Sequence, residues 1–87
     1  MNTYRTKFFA KCPVNGARIE YELSIHIGLT IPVEQIIEFV QDIKEGLHEE
    51  IADQLYARFS GSQCLKAEHH GVHIETIRPY AAHWKKP

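Results

Sequence analysis

From Arg18 to Ile27 the chain alternates strictly, with Ile19, Tyr21, Leu23, Ile25 and Ile27 on one side and Arg18, Glu20, Glu22, Ser24 and His26 on the other. Successive side chains of an extended backbone point in opposite directions, so this period of two specifies a strand with one dry face and one wet face. A sheet built on it must be covered on one side only. Tyr4 to Lys11 alternates more loosely, with Phe8 and Ala10 against Arg5, Lys7 and Lys11. Between the two runs lies Pro13–Ala17, whose Asn15-Gly16 pair tolerates positive φ. The two runs are therefore expected to form an antiparallel hairpin.

Gly28 breaks the second strand, and Pro32 suits the first turn of a helix, where its missing N–H costs nothing. Val33, Ile36, Ile37, Val40 and Ile43 recur at helical spacing, opposite Glu34, Glu38, Gln41 and Glu45. Gly46 reads as the C-cap of this helix. A second amphipathic helix is expected from Leu47 to Phe59, with Leu47, Ile51, Leu55 and Phe59 as its stripe and Gly61 ending it. Gln63 to Ile77 is either one strand bent at His70-Gly71 or two short ones, and Pro79 closes the pattern. The order is strand, strand, helix, helix, strand and a further strand if the last run divides. This gives an α+β two-layer fold: an antiparallel sheet with two consecutive helices on one face. Ile19, Tyr21, Leu23 and Ile25 are expected to pack on Val33, Ile36, Ile37, Ile51 and Leu55. Residues 1–80 form the expected single domain and 81–87 a tail.

Charge narrows the partners. Ten basic and eleven acidic residues leave a net charge of -1, without the basic field that holds a phosphate backbone, so nucleic acid is not an expected partner. No apolar run approaches the roughly 20 residues that span a bilayer. Met1–Arg5 leads straight into patterned sequence, and two Cys residues make no disulfide framework. A cytoplasmic protein with reduced thiols is expected. A chain of 87 residues has a modest core, and strand edges invite a second copy, so a homo-oligomer is expected.

The candidate chemistry centres on Cys12, in Cys12-Pro13-Val14-Asn15-Gly16, where the first strand meets the turn. A thiol at such a junction is expected to be accessible, and thiolate nucleophilicity follows access and a nearby charge. His48-Glu49 heads the second helix. These residues read either as ring-binding groups or as a charged first turn that complements the helix dipole. Cys64, His69, His70 and His73 fall within one short segment and have zinc-ligand chemistry. An extended backbone would point His69 and His70 to opposite faces, so they read as surface or turn histidines and Cys64 as a packed thiol. No metal is expected.

These residues carry a resemblance. The order of elements is similar to the tunnelling fold of GTP cyclohydrolase I, dihydroneopterin aldolase and the 7-cyano-7-deazaguanine reductases. Within that group the chain most resembles the QueF-like nitrile reductases of queuosine biosynthesis, a tRNA modification route, and their archaeal amidinotransferase relatives. Phe8-Phe9-Ala10-Lys11-Cys12-Pro13-Val14-Asn15-Gly16 looks like the family's strand ending in Cys-Pro-x-x-Gly. Gly46-Leu47-His48-Glu49-Glu50 resembles its Gly-x-Phe-His-Glu segment, and His70-Gly71-Val72-His73-Ile74 its final Arg-Gly-Gly-x-x-Ile strand. The similarity runs from Thr6 to Tyr80.

The resemblance implies that Cys12 adds to a nitrile to give a thioimide, and that Glu49 holds the edge of a purine-, 7-deazaguanine- or pterin-like ring, with His48 either orienting that carboxylate or binding the ring itself. It implies a proton-donating Asp seven residues after the Cys, but Ile19 stands there, and Glu20 follows one position later. Glu20 would need a shifted turn to serve. The Glu-Ser-Lys-Ser-x-Lys run of the reductases has no counterpart in Gly28-Leu29-Thr30-Ile31-Pro32, and His69-His70 stands for Arg-Gly. The cofactor is accordingly left open, and NADPH is not implied. The alternative is a homo-oligomeric or partner-binding module that keeps the fold without the chemistry.

Overall fold

The computed structural model describes residues 1–80; the expected tail, 81–87, lies outside the described residues. Two long strands come first, β1 (Asn2–Lys11) and β2 (Arg18–Ile27). Helices α1 (Val33–Asp42) and α2 (His48–Phe59) follow, then β3 (Ser62–His69) and β4 (Val72–Arg78). The sheet is antiparallel throughout, in the order β1-β2-β3-β4. Both helices lie in the single crossover between β2 and β3 and cover one face. This is the expected α+β two-layer arrangement, with the long final run divided into two strands.

Register follows from β2. Tyr21 faces Phe8 on one side and Ala67 on the other, and Leu23 faces Thr6 and Leu65. The inward rows of three strands therefore meet side by side, and Tyr21, Leu23, Ile25, Ile51 and Leu55 are buried to within 1 %. The outward row of β2 lies among Lys7, Phe9, Cys64 and Lys66. One of its members, Arg18, sets its guanidinium 3.8 Å over the Phe9 ring.

The turns have local causes. His70 (φ 51°) and Gly71 (φ 86°) form the two-residue β3–β4 loop, because two successive positive-φ positions match the twist of a hairpin. Gly61 is required by space as well as conformation: a Cβ there would sit 2.8 Å from the carbonyl oxygen of His26. Gln63 is buried and donates from Nε2 to the carbonyls of Leu55 and Ser60, satisfying the end of α2. At the other end of α2, the Leu47 N–H donates to Glu50 Oε1 at 3.2 Å, half of a capping box.

The structure corrects several expectations. β1 begins at Asn2, two residues early. Gly46 is not the C-cap of α1, which ends at Asp42 with Ile43 as cap. Leu47 precedes α2 as its N-cap and is 44 % exposed, outside the stripe. Val33 and Ile37 do not pack on β2: α1 turns Ile36 and Val40 inward and leaves Ile37 41 % and Val33 54 % exposed. Positions 33/37 and 36/40 form adjacent rows about 60° apart on a helix, and the sheet face covers only the second.

Truncation should separate the two rows. Leu55→Ala is expected to lower unfolding stability by about 2–5 kcal/mol in urea denaturation, as for a fully buried Leu. Ile37→Ala should cost less than about 1 kcal/mol, since it opens no cavity in the core.

Candidate functional site

Three segments meet at one end of the sheet. Just after β1, the Cys12 N–H donates to the Ala17 carbonyl, and the Cys12 carbonyl accepts from Gly16 N–H. This closes the Cys12–Ala17 loop. The segment between the helices is fastened to the same place. Lys11 N–H donates to Lys44 O at 2.9 Å, and Gly46 N–H donates to Lys11 O at 3.2 Å. His48 and Glu49, two and three residues beyond Gly46, therefore start α2 beside the end of β1. The β3–β4 turn completes the end, with Asn15 Nδ2 donating to His70 Nε2 at 2.7 Å.

Beneath these loops lies an aromatic and polar cluster around Tyr21. Its ring stacks on Phe8 at 5.3 Å and meets His48 at 5.5 Å and His69 at 6.3 Å. His48 and His69 are themselves 6.0 Å apart. His48 is buried, and its Nε2 lies 3.2 Å from the Leu65 carbonyl. A carbonyl only accepts, so Nε2 carries the hydrogen. Burial holds the pKa of His48 below the usual imidazole value despite that bond, so the ring stays neutral and Nδ1 keeps its lone pair. Tyr21 is held the other way. Burial, with a smaller contribution from Cys12, raises its pKa, and the phenol remains an O–H. Among the described residues, Tyr21 Oη, His48 Nδ1 and His69 Nε2 are buried polar atoms without a hydrogen-bond partner.

The expected site residues fare differently. Cys12 is on the inward face at the same end of the sheet, but it is only 8 % exposed. That contradicts the expectation of an accessible thiol: the residue continues the inward row of Phe8 and Ala10 and is covered like them. Cys64 is the more exposed of the two thiols, and burial with the nearby Glu75 charge raises its pKa. Glu20 is not brought to Cys12. It pairs with Phe9 on the outward face, in a shallow depression with Lys7, Glu22, Lys66 and His73. Ile19, by contrast, shares the inward face with Cys12 and is buried. A carboxyl seven residues after the Cys would reach the thiol side, whereas one eight residues after it cannot. Glu49 is exposed in the first turn of α2.

The histidine-rich segment is dispersed. His69 points inward, His70 occupies the turn, and His73 lies on the outward face, paired with Glu75 at 2.9 Å. Among the described residues no three His, Cys, Asp or Glu side chains are grouped to hold a metal. No described helix is long and apolar enough to cross a membrane. Tyr21 and His69 escaped the sequence reading, Tyr21 because it sits in an apolar row and His69 because it was read as a surface or turn residue.

The sequence matches no family profile and no curated protein. Among solved structures, the crystal structure of the archaeosine synthase QueF-Like in its apo form matches at TM-score 0.70 and 20 % identity. The match covers 88 % of this chain and 89 % of that one. The chain has the QueF-like tunnelling fold.

The burial of His48 makes a pH prediction. Its folded pKa lies below the unfolded value near 6.5, so below that value the unfolded chain takes up protons that the folded chain resists. Stability from this residue is fully present above pH 6.5 and is lost as pH falls toward the folded pKa. His48→Gln should flatten the fall in urea midpoint between pH 7.5 and 5.5 relative to the parent chain. An unchanged slope would contradict a neutral buried His48.

Proposed function

We propose that this protein binds a purine-, 7-deazaguanine- or pterin-like ring at the end of the sheet formed by Cys12–Ala17, the start of α2 and the β3–β4 turn. The observation that carries this is the meeting of His48 and His69 beside Tyr21 at the end of the sheet where the Cys12–Ala17 turn closes. Glu49 lies in the first turn of the helix that His48 begins, and a carboxylate there matches the paired N–H donors of a guanine-like edge. His48 Nδ1 is a free acceptor within the same cluster. The thiol of Cys12 would add to a nitrile carbon on such a ring to give a thioimide. The matched structure is that of an archaeosine synthase, in keeping with the QueF-like resemblance of the sequence. Glu20, on the outward face, takes no part in this reading.

The ring would be held between copies of the chain in the cytoplasm. Among the described residues, β4 pairs on one side only, as does β1 from Asn2 to Ala10, with Lys11 alone bridged to Glu45, and Ile37 presents an apolar side chain on α1 beside the β1 edge. Free edges and an uncovered row gain from a second copy.

A second reading is favoured by Ile19 on the inward face and by the burial of Cys12. The protein would then be an oligomeric or partner-binding module that keeps the fold and lacks the chemistry.

Mass spectrometry and calorimetry separate the two. On the first reading, 7-cyano-7-deazaguanine forms an adduct on Cys12, which Cys12→Ala abolishes. Glu49→Ala weakens ring binding roughly ten- to a hundredfold, as expected for a lost carboxylate hydrogen bond worth about 1.5–3 kcal/mol. No adduct, together with no binding of deazaguanine, guanine or pterin, would leave the module reading. Sedimentation at micromolar concentration should show a dimer or larger species, and a strict monomer would contradict the shared site.

A further inference from the structure

The outward face of the sheet changes character along its length. Toward Arg18 it is rich in carboxylates: Lys7, Glu22, Lys66 and Glu75 pair in one row across the four strands, and Glu20 lies beyond it. Toward Ile27 the acids stop. Thr3, His26 and Ser62 pair in one row, and Arg5, Ser24 and Cys64 in the next. Residues opposite one another in register share a face. These six line a shallow cavity of about 320 Å³ that, among the described residues, has no carboxylate in its wall. Of the four arginines, Arg18 lies over the Phe9 ring, Arg58 donates to Gln35 and Arg78 pairs with Asp53. The Arg5 guanidinium has no hydrogen bond, ion pair or ring contact among the described residues.

We propose that this cavity binds a phosphate group, held by Arg5 and His26 with the hydroxyls of Thr3, Ser24 and Ser62. A guanidinium is a planar fork of donors that accepts nothing, so its match is an oxyanion. The neighbours add donors of the same kind. His26 Nδ1 lies 2.8 Å from Thr3 Oγ1, which positions the ring and leaves Nε2 without a partner among the described residues. Ser62 donates to the His26 carbonyl at 3.4 Å, a bond long enough to yield to a charged acceptor. A carboxylate has two oxygens, whereas a phosphate group presents three strong acceptors and uses fork, imidazole and hydroxyls together. The site is on the outward face, away from the Cys12–Ala17 end, and does not depend on the ring-binding reading.

The test is a backbone amide NMR titration of the full chain with inorganic phosphate, ribose 5-phosphate and ribose. Phosphate and its ester should give saturating shift changes centred on residues 3–5, 24–26 and 62–64, and ribose should give none. Tighter binding of the ester would assign the site to a phosphate monoester, and equal binding to free phosphate. Arg5 is exposed, so Arg5→Gln should keep the parent's urea midpoint. It should weaken binding roughly ten- to a hundredfold, as for lost hydrogen bonds to a charged group. Arg18→Gln removes the same group from the same face roughly 20 Å along β2. At physiological salt it should change the affinity by less than about twofold, because that distance exceeds the screening length. Equal losses in the two variants would mean general attraction to a cationic surface and would overturn the proposal. So would shift changes that fail to saturate at millimolar phosphate, that centre on other residues, or that ribose reproduces.

Discussion

The inward row of β2 is the constraint on which the other elements depend. Ile19, Tyr21, Leu23, Ile25 and Ile27 form one continuous apolar face, and β1 and β3 register their own inward residues against it. The helices are held by the same row, with Ile51 and Leu55 of α2 buried as completely as Leu23. Burying a side chain of this size gains about 1.5–3 kcal/mol, so this row and its partners dominate the favourable terms. A one-residue slip would bring Glu20 and Glu22 into the core, which leaves a single register.

The same row also reaches the candidate site. Tyr21 is a core residue by burial, and its ring lies beside His48 and His69 at the candidate site. The site is thus anchored on the buried core of the sheet. Its walls are loops, but each is fastened by backbone hydrogen bonds, at Lys11 to the interhelix segment and at Cys12 across its own turn. Rigid support beneath short loops is the arrangement that lets a small protein hold a thiol and a histidine in fixed relation.

The sequence disclosed the fold far better than it did the site. Period-two alternation in β2 and the Asn15-Gly16 turn were enough to place the first hairpin, and the helical periods were enough to place α1 and α2 on one face. What periodicity could not resolve was which of two apolar rows on α1 would face the sheet, since 33/37 and 36/40 are equally spaced. At the site, Cys12 and His48 were visible as residue types in a pattern. Cys12 was expected to be accessible because it ends a strand, yet strand parity, which makes it the next inward position after Ala10, buries it. The same parity argument places Glu20 on the wrong face and Tyr21 on the right one. Tyr21 stayed hidden because its ring satisfies the apolar pattern, and only the structure shows the hydroxyl without a partner.

The central claim is that three segments distant in sequence make one ring-binding end. The most direct test is a backbone amide NMR titration with 7-cyano-7-deazaguanine or guanine. The account predicts shift changes concentrated in residues 12–17, 46–50 and 69–71, with Tyr21 among them and the outward row of β2 unaffected. Changes centred on Glu20, Glu22 and His73, or on the exposed row of α1, would contradict it.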